Sequence, residues 1–207
     1  MNLLIFIFGK KILKLFSFFI KIILTLKGFK IGKNFYIEAI PKLKLNSTKV
    51  DIVFGDNVKI LGTIDLRTRE TGSIFFGDNV MIEDNCRFVS ARTGKIEIGN
   101  NTIVTTGAIL NGGADLILGK NCILGPRNTL NANEHNFKIN QNIHDQGYTH
   151  QAIVIGNDCW FGANVVIAKG VTISDKSIIG ANSFVNKSTE KNSINAGSPA
   201  KQIGARK

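Results

Sequence analysis

The sequence predicts a parallel β-helix, a column of stacked triangular coils, and two observations support this fold class. Large apolar residues recur every six positions near the C-terminus, at Ile155, Phe161, Ile167, Ile173, Ile179 and Val185. Four positions after each lies a small or β-branched residue, namely Cys159, Val165, Val171, Ser177, Ser183 and Thr189. A spacing of six fits neither the helical period of about 3.6 nor the strand period of about 2. It fits a chain that turns a corner every six residues and returns the same two positions to the interior.

Imperfect copies of the repeat continue towards the N-terminus. The segment FGDNV at 54–58 returns at 76–80 and, as IGNNT, at 98–102, in steps of 22 residues. Such a step holds three hexads and a four-residue excursion, which is one turn of a three-sided prism. Glycine or Asx after each apolar residue suits a corner that needs a permissive backbone. We therefore predict about seven coils over residues 31–203, roughly 33 Å tall at the usual strand spacing, and a tail at 204–207.

The bulk composition is that of a globular protein with a reduced interior. With 207 residues, of which 43% are hydrophobic and 20% charged, the chain can bury a sizeable core. Cys86, Cys122 and Cys159 all fall at the small inward position of their hexads. An odd count without CxxC spacing argues against a disulfide framework and a zinc ribbon. We expect free core cysteines and a cytoplasmic, reducing compartment.

The formal net charge of +11 is concentrated at the N-terminus. Seven lysines lie within residues 1–33, the first acidic residue is Glu38, and the rest of the chain carries only +4. A nucleic-acid-binding protein would interleave basic and aromatic residues over an extended face. That pattern is absent beyond the N-terminal segment, so we expect no nucleic-acid partner.

Residues 1–30 predict a short amphipathic helix that ends near Gly28 and Gly32. At about 100° per residue, four of its lysines fall within an arc of roughly 100°, and the remaining circumference is apolar. These lysines are Lys10, Lys11, Lys14 and Lys21. The longest uncharged runs, 3–9 and 15–20, are too short to span a membrane. Two interpretations stay open: the helix contacts an anionic membrane surface from the cytoplasmic side, or it packs on the β-helix or on a neighbouring subunit.

The hexads are interrupted by a long loop at 131–154. It contains all three histidines of the chain, His135, His144 and His150. A long excursion from a rigid scaffold is a natural place for binding and catalytic residues. The sequence therefore predicts that the functional site includes this loop.

Two segments resemble a known family. IGNDCWFGANVVIAKGVTISDKSIIGANSFVNKS at 155–188 and NAGSPAKQI at 195–203 are similar to the hexapeptide-repeat acyltransferases, in the branch of the maltose, galactoside and polysaccharide O-acetyltransferases. The resemblance covers roughly residues 50–203 and is strongest after 118. It implies a left-handed β-helix and a homotrimer with active sites between the prisms. It also implies acetyl-CoA as co-substrate and no metal.

The resemblance also suggests site residues. His135 precedes Trp160 by 25 residues, as the family's catalytic histidine does, and would act as general base towards a sugar hydroxyl. Glu134 would orient that imidazole or point away from it. The expected CoA contacts are Trp160, Ala163, Ala181, Asn186, Lys187 and Lys201. Asn111 is a weaker candidate for a sugar contact, and His144 and His150 are expected to be solvated.

These residues predict an acetyl-CoA-dependent O-acetyltransferase. Its acceptor would be a sugar hydroxyl of a bacterial surface polysaccharide or of a lipid-linked precursor. N-acylation of an amino sugar is an alternative that uses the same base and the same CoA groove. Less favoured alternatives are a γ-carbonic-anhydrase-like metal enzyme, which needs three histidines across a subunit interface, and an inactive trimeric scaffold.

Overall fold

The computed structural model describes residues 10–46 and 50–207. Within them, helix α1 (Lys10–Leu26) is followed by strands that form three long sheets. Sheet A consists of β1 (Lys30–Ile31), β4 (Ile52–Phe54), β7 (Ser73–Phe76), β10 (Lys95–Ile98), β13 (Leu116–Leu118), β18 (Ile153–Ile155) and β21 (Thr172–Ile173). Sheet B consists of β2 (Tyr36–Ile37), β5 (Lys59–Leu61), β8 (Met81–Glu83), β11 (Ile103–Val104), β14 (Ile123–Leu124), β19 (Trp160–Phe161), β22 (Ile178–Ile179), β24 (Ser193–Gly197) and β25 (Ala200–Ala205). Sheet C consists of β3 (Lys42–Leu45), β6 (Ile64–Thr68), β9 (Cys86–Ser90), β12 (Ile109–Gly112), β15 (Thr129–Asn131), β20 (Val166–Ile167) and β23 (Phe184–Val185).

The sheets are the three faces of a β-helix. The chain visits sheets A, B and C in turn, so three strands make one coil and the described residues make seven coils. Neighbouring strands within a face are parallel, except that β25 returns antiparallel to β24 at the C-terminal end. The predicted parallel β-helix of about seven coils is confirmed. One antiparallel hairpin, β16 (Asn133–His135) and β17 (Tyr148–His150), leaves the column between β15 and β18 and carries a 3₁₀ turn, Ile143–Asp145.

A single column of inward side chains forms the core. The six apolar residues that open the hexads from 155 to 185 are all buried, as are the small residues that accompany them, apart from the half-buried Thr189. Near the other end the interior is filled by aromatic rings. Phe54 stacks on Phe76 at 4.8 Å between centroids, and Phe76 meets Phe88 edge-on at 5.0 Å. The three cysteines are buried and free, as expected.

The corner between sheets A and B is built from stacked asparagines. They share a left-handed backbone with φ of 52–60°, and they are Asn34, Asn57, Asn79, Asn101 and Asn121. The side-chain amide of each of the first four donates to the amide oxygen one coil further on, at 2.9–3.1 Å. Asparagine tolerates this conformation better than most other non-glycine residues, and here its side chain also ties successive coils together. Because the coils approach so closely, a Cβ at Gly99 would lie 2.6 Å from the backbone of Gly119.

Helix α1 packs across the N-terminal end of the column with one face only. Leu13, Ser17, Ile20 and Leu24 are buried there. The Ser17 hydroxyl donates to the Phe35 carbonyl at 3.2 Å and accepts the Ile37 amide at 3.0 Å. The packing interpretation therefore holds for this face. The part of the predicted helix at 1–9 lies outside the described residues.

The opposite face of α1 is apolar and exposed. Its side chains are 41–83% accessible, and they are Leu15, Phe18, Phe19, Ile22, Ile23 and Leu26. Lys11 and Lys14 are also exposed, whereas Lys21 is half-buried and donates from Nζ to the Gly32 carbonyl at 2.6 Å. No helix among the described residues is long and apolar enough to cross a membrane.

The asparagine ladder generates a stability prediction. Replacing Asn79 with Gly removes two side-chain hydrogen bonds but keeps the left-handed backbone unstrained. Replacing Asn79 with Ala removes the same bonds and adds the cost of a Cβ in that conformation, about 1–2 kcal/mol. We expect urea unfolding at fixed protein concentration to show Asn79→Ala about 1 kcal/mol less stable than Asn79→Gly. Equal stabilities would contradict a backbone constraint at this corner.

Candidate active site

The predicted functional loop forms a hairpin at the edge between sheets C and A. Its register pairs Glu134 with Thr149 and His135 with Tyr148. Side chains alternate between the two faces of a strand, and directly opposed residues share a face. His135, Tyr148 and His150 therefore lie on one face of the hairpin and Glu134 on the other. The rings of His135 and Tyr148 are in contact, with centroids 4.1 Å apart, and His150 follows 6.2 Å beyond Tyr148.

A cavity of about 550 Å³ lies at the base of the hairpin, between it and the third and fourth coils. Its polar lining includes Arg92, Asp115, Tyr148 and His150. The volume is within the range of small-molecule sites, roughly 300–1,000 Å³. Tyr148 and His150, which share a face of the hairpin with His135, line this cavity together with Arg92 and Asp115, which the repeat pattern alone did not single out.

His150 is not the solvated loop residue that the sequence suggested. Its ring packs on Gly113, where an added Cβ would lie 2.5 Å from the ring carbon Cε1. The Nδ1 atom is buried and has no hydrogen-bond partner among the described residues. Burial, and then the positive charge of Arg92, lower the pKa of His150 below its usual value. The expectation of solvation was wrong because the side chain folds back onto a coil some 40 positions earlier in the chain, at Gly113.

His144 behaves as expected for a solvated loop residue. Its side chain is 97% exposed, and its Nδ1 lies 3.1 Å from the neighbouring Asp145 carboxylate. It belongs to the 3₁₀ turn at the tip of the hairpin, away from the cavity.

Glu134 points away from His135. Its carboxylate lies 3.1 Å from the Lys169 ammonium, which also lies 3.4 Å from the Gln151 side-chain oxygen. Consecutive residues of an extended strand face opposite sides, so this orientation follows from the hairpin itself. Of the two orientations considered from the sequence, the structure has the second. Glu134 fixes the hairpin to the sixth coil rather than touching the imidazole.

The residues expected to contact CoA lie at two different edges of the column. Lys187 follows sheet C and, together with Lys201, lines a cavity of about 280 Å³ near the edge that carries the hairpin. Asn186 precedes Lys187 and is exposed. Ala163 lies at the edge between sheets B and C, where its carbonyl accepts the Asn182 amide at 2.9 Å.

Ala181 and Trp160, which are also expected to contact CoA, lie near the same edge between sheets B and C. Ala181 is exposed at the same corner, one coil after Ala163. Trp160 projects from sheet B and is 52% exposed. Within one chain the width of sheet C therefore separates Trp160, Ala163 and Ala181 from the hairpin. One protomer does not bring all the predicted residues together.

Asn111 lies one coil before the base of the hairpin. It is half-buried on the outer side of sheet C, and its amide donates to the Asn131 side-chain oxygen at 3.0 Å. Asn131 ends the strand that leads into the hairpin. Both side chains are therefore near the cavity without being among the residues that line it.

Within residues 10–46 and 50–207, no three or more His, Cys, Asp or Glu side chains are grouped so that they could hold a metal ion. The groups available for chemistry at the hairpin are an exposed imidazole, a tyrosine ring and a half-buried second imidazole. With an arginine and an aspartate nearby, this arrangement suits proton transfer to or from a bound hydroxyl or amine.

Sequence comparisons match the same repeat. Residues 152–187 match the family described as the hexapeptide repeat of succinyl-transferase. The chain is 38% identical over 87 residues to a galactoside O-acetyltransferase of Escherichia coli (strain K12). That alignment covers 42% of each chain, so it spans less than half the length of this curated relative.

Solved structures extend the similarity to the fold. A hexapeptide-repeat acetyltransferase of Vibrio cholerae O1 biovar eltor, in complex with acetyl coenzyme A, is 30% identical with a TM-score of 0.52, over 54% of this chain and 61% of the other. A polySia-specific acetyltransferase, NeuO, is 25% identical with a TM-score of 0.51, over 86% of this chain and 81% of the other. The repeat and the parallel coils agree with these relatives: residues 152–187 carry the hexapeptide repeat, and the chain is similar to hexapeptide-repeat acetyltransferases of known structure.

Proposed function

We propose that the protein is an acetyl-CoA-dependent O-acetyltransferase that acts on a sugar hydroxyl, with His135 as general base. The observation that supports the proposal is the hairpin register, which sets the exposed His135 against Tyr148, a residue that lines a ligand-sized cavity. The relatives support it, since one is named a galactoside O-acetyltransferase and another was solved with acetyl coenzyme A.

The reaction is a direct transfer. The acceptor oxygen attacks the thioester carbonyl carbon while the neutral imidazole of His135 takes the hydroxyl proton. The carbon–sulfur bond then breaks, and the imidazolium returns the proton to the departing thiolate, so the products are an acetyl ester and free CoA. An imidazole suits both steps because its reference pKa is about 6.5. Tyr148, with its ring 4.1 Å from that of His135, restricts the positions the imidazole can take.

The edge that carries the hairpin also presents cations that can bind the phosphates of acetyl-CoA. Lys187 and Lys201 line one cavity there, and ammonium groups bind phosphate oxygens through charge-assisted hydrogen bonds. Lys169 lies one coil closer to the hairpin, but Glu134 already pairs with it. We assign the CoA phosphates to Lys187 and Lys201.

Replacing His135 with Ala should abolish most acetyl transfer while leaving CoA binding intact. Removing a general base typically costs about 10²- to 10⁴-fold in rate. The rate of CoA release with acceptor present and the calorimetric affinity for CoA measure the two effects. His144→Ala removes an exposed imidazole from the same hairpin and should retain near-full activity. Full activity in the His135 variant would refute its role.

We propose that the active protein is a homotrimer, because the predicted site is divided between two edges of one column. His135, Lys187 and Lys201 lie near the edge between sheets C and A, whereas Ala163 and Ala181 lie between B and C. A head-to-tail ring of three copies can place the first edge of one protomer against the second edge of its neighbour. Each site would then be complete only between subunits.

This arrangement predicts complementation between two inactive variants. His135→Ala removes the base at one edge, and Ala181→Trp fills the groove at the other without disturbing the core, because Ala181 is exposed. Random mixed trimers formed from equal amounts should regain about a quarter of wild-type activity, since one site in four joins two intact edges. The control is an equal mixture of the two variant trimers, assembled separately and assayed without subunit exchange. No recovery in verified mixed trimers would contradict a shared site.

We further propose that α1 attaches the protein to the cytoplasmic face of the cell membrane. Its outer face presents exposed apolar side chains that include Phe18 and Phe19, flanked by the exposed lysines Lys11 and Lys14. Such a helix lies in the interface, with its apolar side chains among the acyl chains and its lysines at anionic headgroups. An acceptor such as a lipid-linked polysaccharide precursor would be within reach of the attached enzyme.

Vesicle co-sedimentation tests this attachment. We expect binding to phosphatidylcholine vesicles to strengthen when phosphatidylglycerol is added. The double replacement of Phe18 and Phe19 by Ser should weaken binding at least tenfold, because each buried ring contributes roughly 1.5–3 kcal/mol. Ile139→Ser removes an even more exposed apolar side chain, 96% accessible, from the hairpin and should have no effect. Unchanged binding in the double variant would exclude α1 as the anchor.

A further inference from the structure

We propose that the cavity at the base of the hairpin binds an acidic group of the acceptor, a carboxylate or a phosphate, between Arg92 and His150. This inference rests on the proposed acetyl transfer, and it assigns the acceptor to the negatively charged sugars. Tyr148 and His150, which share a face of the hairpin with His135, line this cavity, so one bound sugar could present its acidic group at Arg92 and a hydroxyl towards the base.

The guanidinium of Arg92 is available for a ligand. No carboxylate among the described residues lies within 4.0 Å of it. The nearby Glu70 carboxylate accepts the backbone N–H of Arg92 instead, which holds the corner in place. Arg92 has φ of 58°, the left-handed conformation that recurs at coil corners. An arginine fixed in this way can form bidentate hydrogen bonds with a carboxylate or phosphate.

His150 lines the same cavity as Arg92, close enough for the arginine charge to act on its ring. Its Nδ1 is buried against Gly113 without a hydrogen-bond partner, so Nε2 is the ring nitrogen that can bind a ligand. Burial, and then the positive charge of Arg92, lower the pKa of the His150 imidazole. An anion bound between the two would counter that charge and favour the protonated ring.

The other polar groups of the cavity suit the remainder of a sugar. One oxygen of Asp115 accepts the backbone N–H of Lys95 at 2.9 Å, and the other can accept sugar hydroxyls. The Lys95 ammonium is paired with Glu97 at 2.9 Å, so it does not compete for the acidic group. Tyr148 lies between His150 and His135 and offers an aromatic face, a common platform for sugar rings.

A histidine NMR titration tests this inference independently of catalysis. The chain has only three histidines, so their ring signals can be assigned with His150→Gln, His144→Ala and His135→Ala. Glucuronate and glucose 1-phosphate are the acidic probes, and glucose is the neutral one. We expect the acidic probe that fits to raise the pKa of His150 and glucose to leave it unchanged. A response to glucuronate alone assigns a carboxylate, and a response to glucose 1-phosphate alone assigns a phosphate.

The matched variants are Arg92→Gln and Lys176→Gln. Lys176 is an exposed cation in the same left-handed conformation, φ 61°, at the corner between sheets A and B. Arg92→Gln should abolish the response of His150 and lower kcat/KM for the acidic acceptor at least tenfold, mainly through KM, with little effect on glucose. Lys176→Gln should change neither quantity.

Two results would overturn the inference: no shift of the His150 signal with either acidic probe, or the same shift in Arg92→Gln. Transfer to glucose that depends on His135 would still stand in that case, so the proposed function would survive. Conversely, a shift that depends on Arg92, with no acetyl transfer to any acceptor, would support the acidic subsite and refute the proposed reaction.

Discussion

The structure depends on backbone hydrogen bonds between successive coils, because no coil can bury its own strands alone. A ladder of this kind stays in register only if the corresponding corners of successive coils lie directly above one another. Stacked asparagines and closely approaching glycines provide those corners, and Asn79 and Gly99 illustrate the two devices. A shift by one residue would turn every inward side chain outward, since strand side chains alternate. The apolar core and the corner geometry therefore support each other.

The rigid column fixes the position of the hairpin. Its two strands have a fixed register, and that register decides which side chains meet which part of the column. One face carries His135 together with Tyr148 and His150, which line the cavity, and the other carries Glu134 to Lys169 on the sixth coil. The hairpin thus separates the side that borders the cavity from the side on which Lys169 lies. Rigid support of this kind is what positions catalytic side chains accurately.

The sequence predicted the column well because its signal is local and periodic. Six-residue spacing identified inward positions such as Ile167 and Phe161, and both are fully buried. The cavity could not be predicted in the same way, because its walls come from coils far apart in the chain. His150 was expected to be solvated, yet it packs on Gly113, and only the folded hairpin brings them together. Arg92 carried no sequence signal, since it is one of many corner residues. For α1, the pattern showed an amphipathic helix but not which part of its apolar circumference the column would cover.

The order of the coils sets the distance between helix α1 and the hairpin. Helix α1 covers the first coil and the hairpin leaves after the fifth, so four strand spacings, about 19 Å, separate the two. Because the spacing is set by backbone geometry, that height can change only in steps of one whole coil. In the proposed attachment of α1 to a membrane, the column would act as a spacer, and the number of coils below the hairpin would determine how far from the membrane the acceptor must extend.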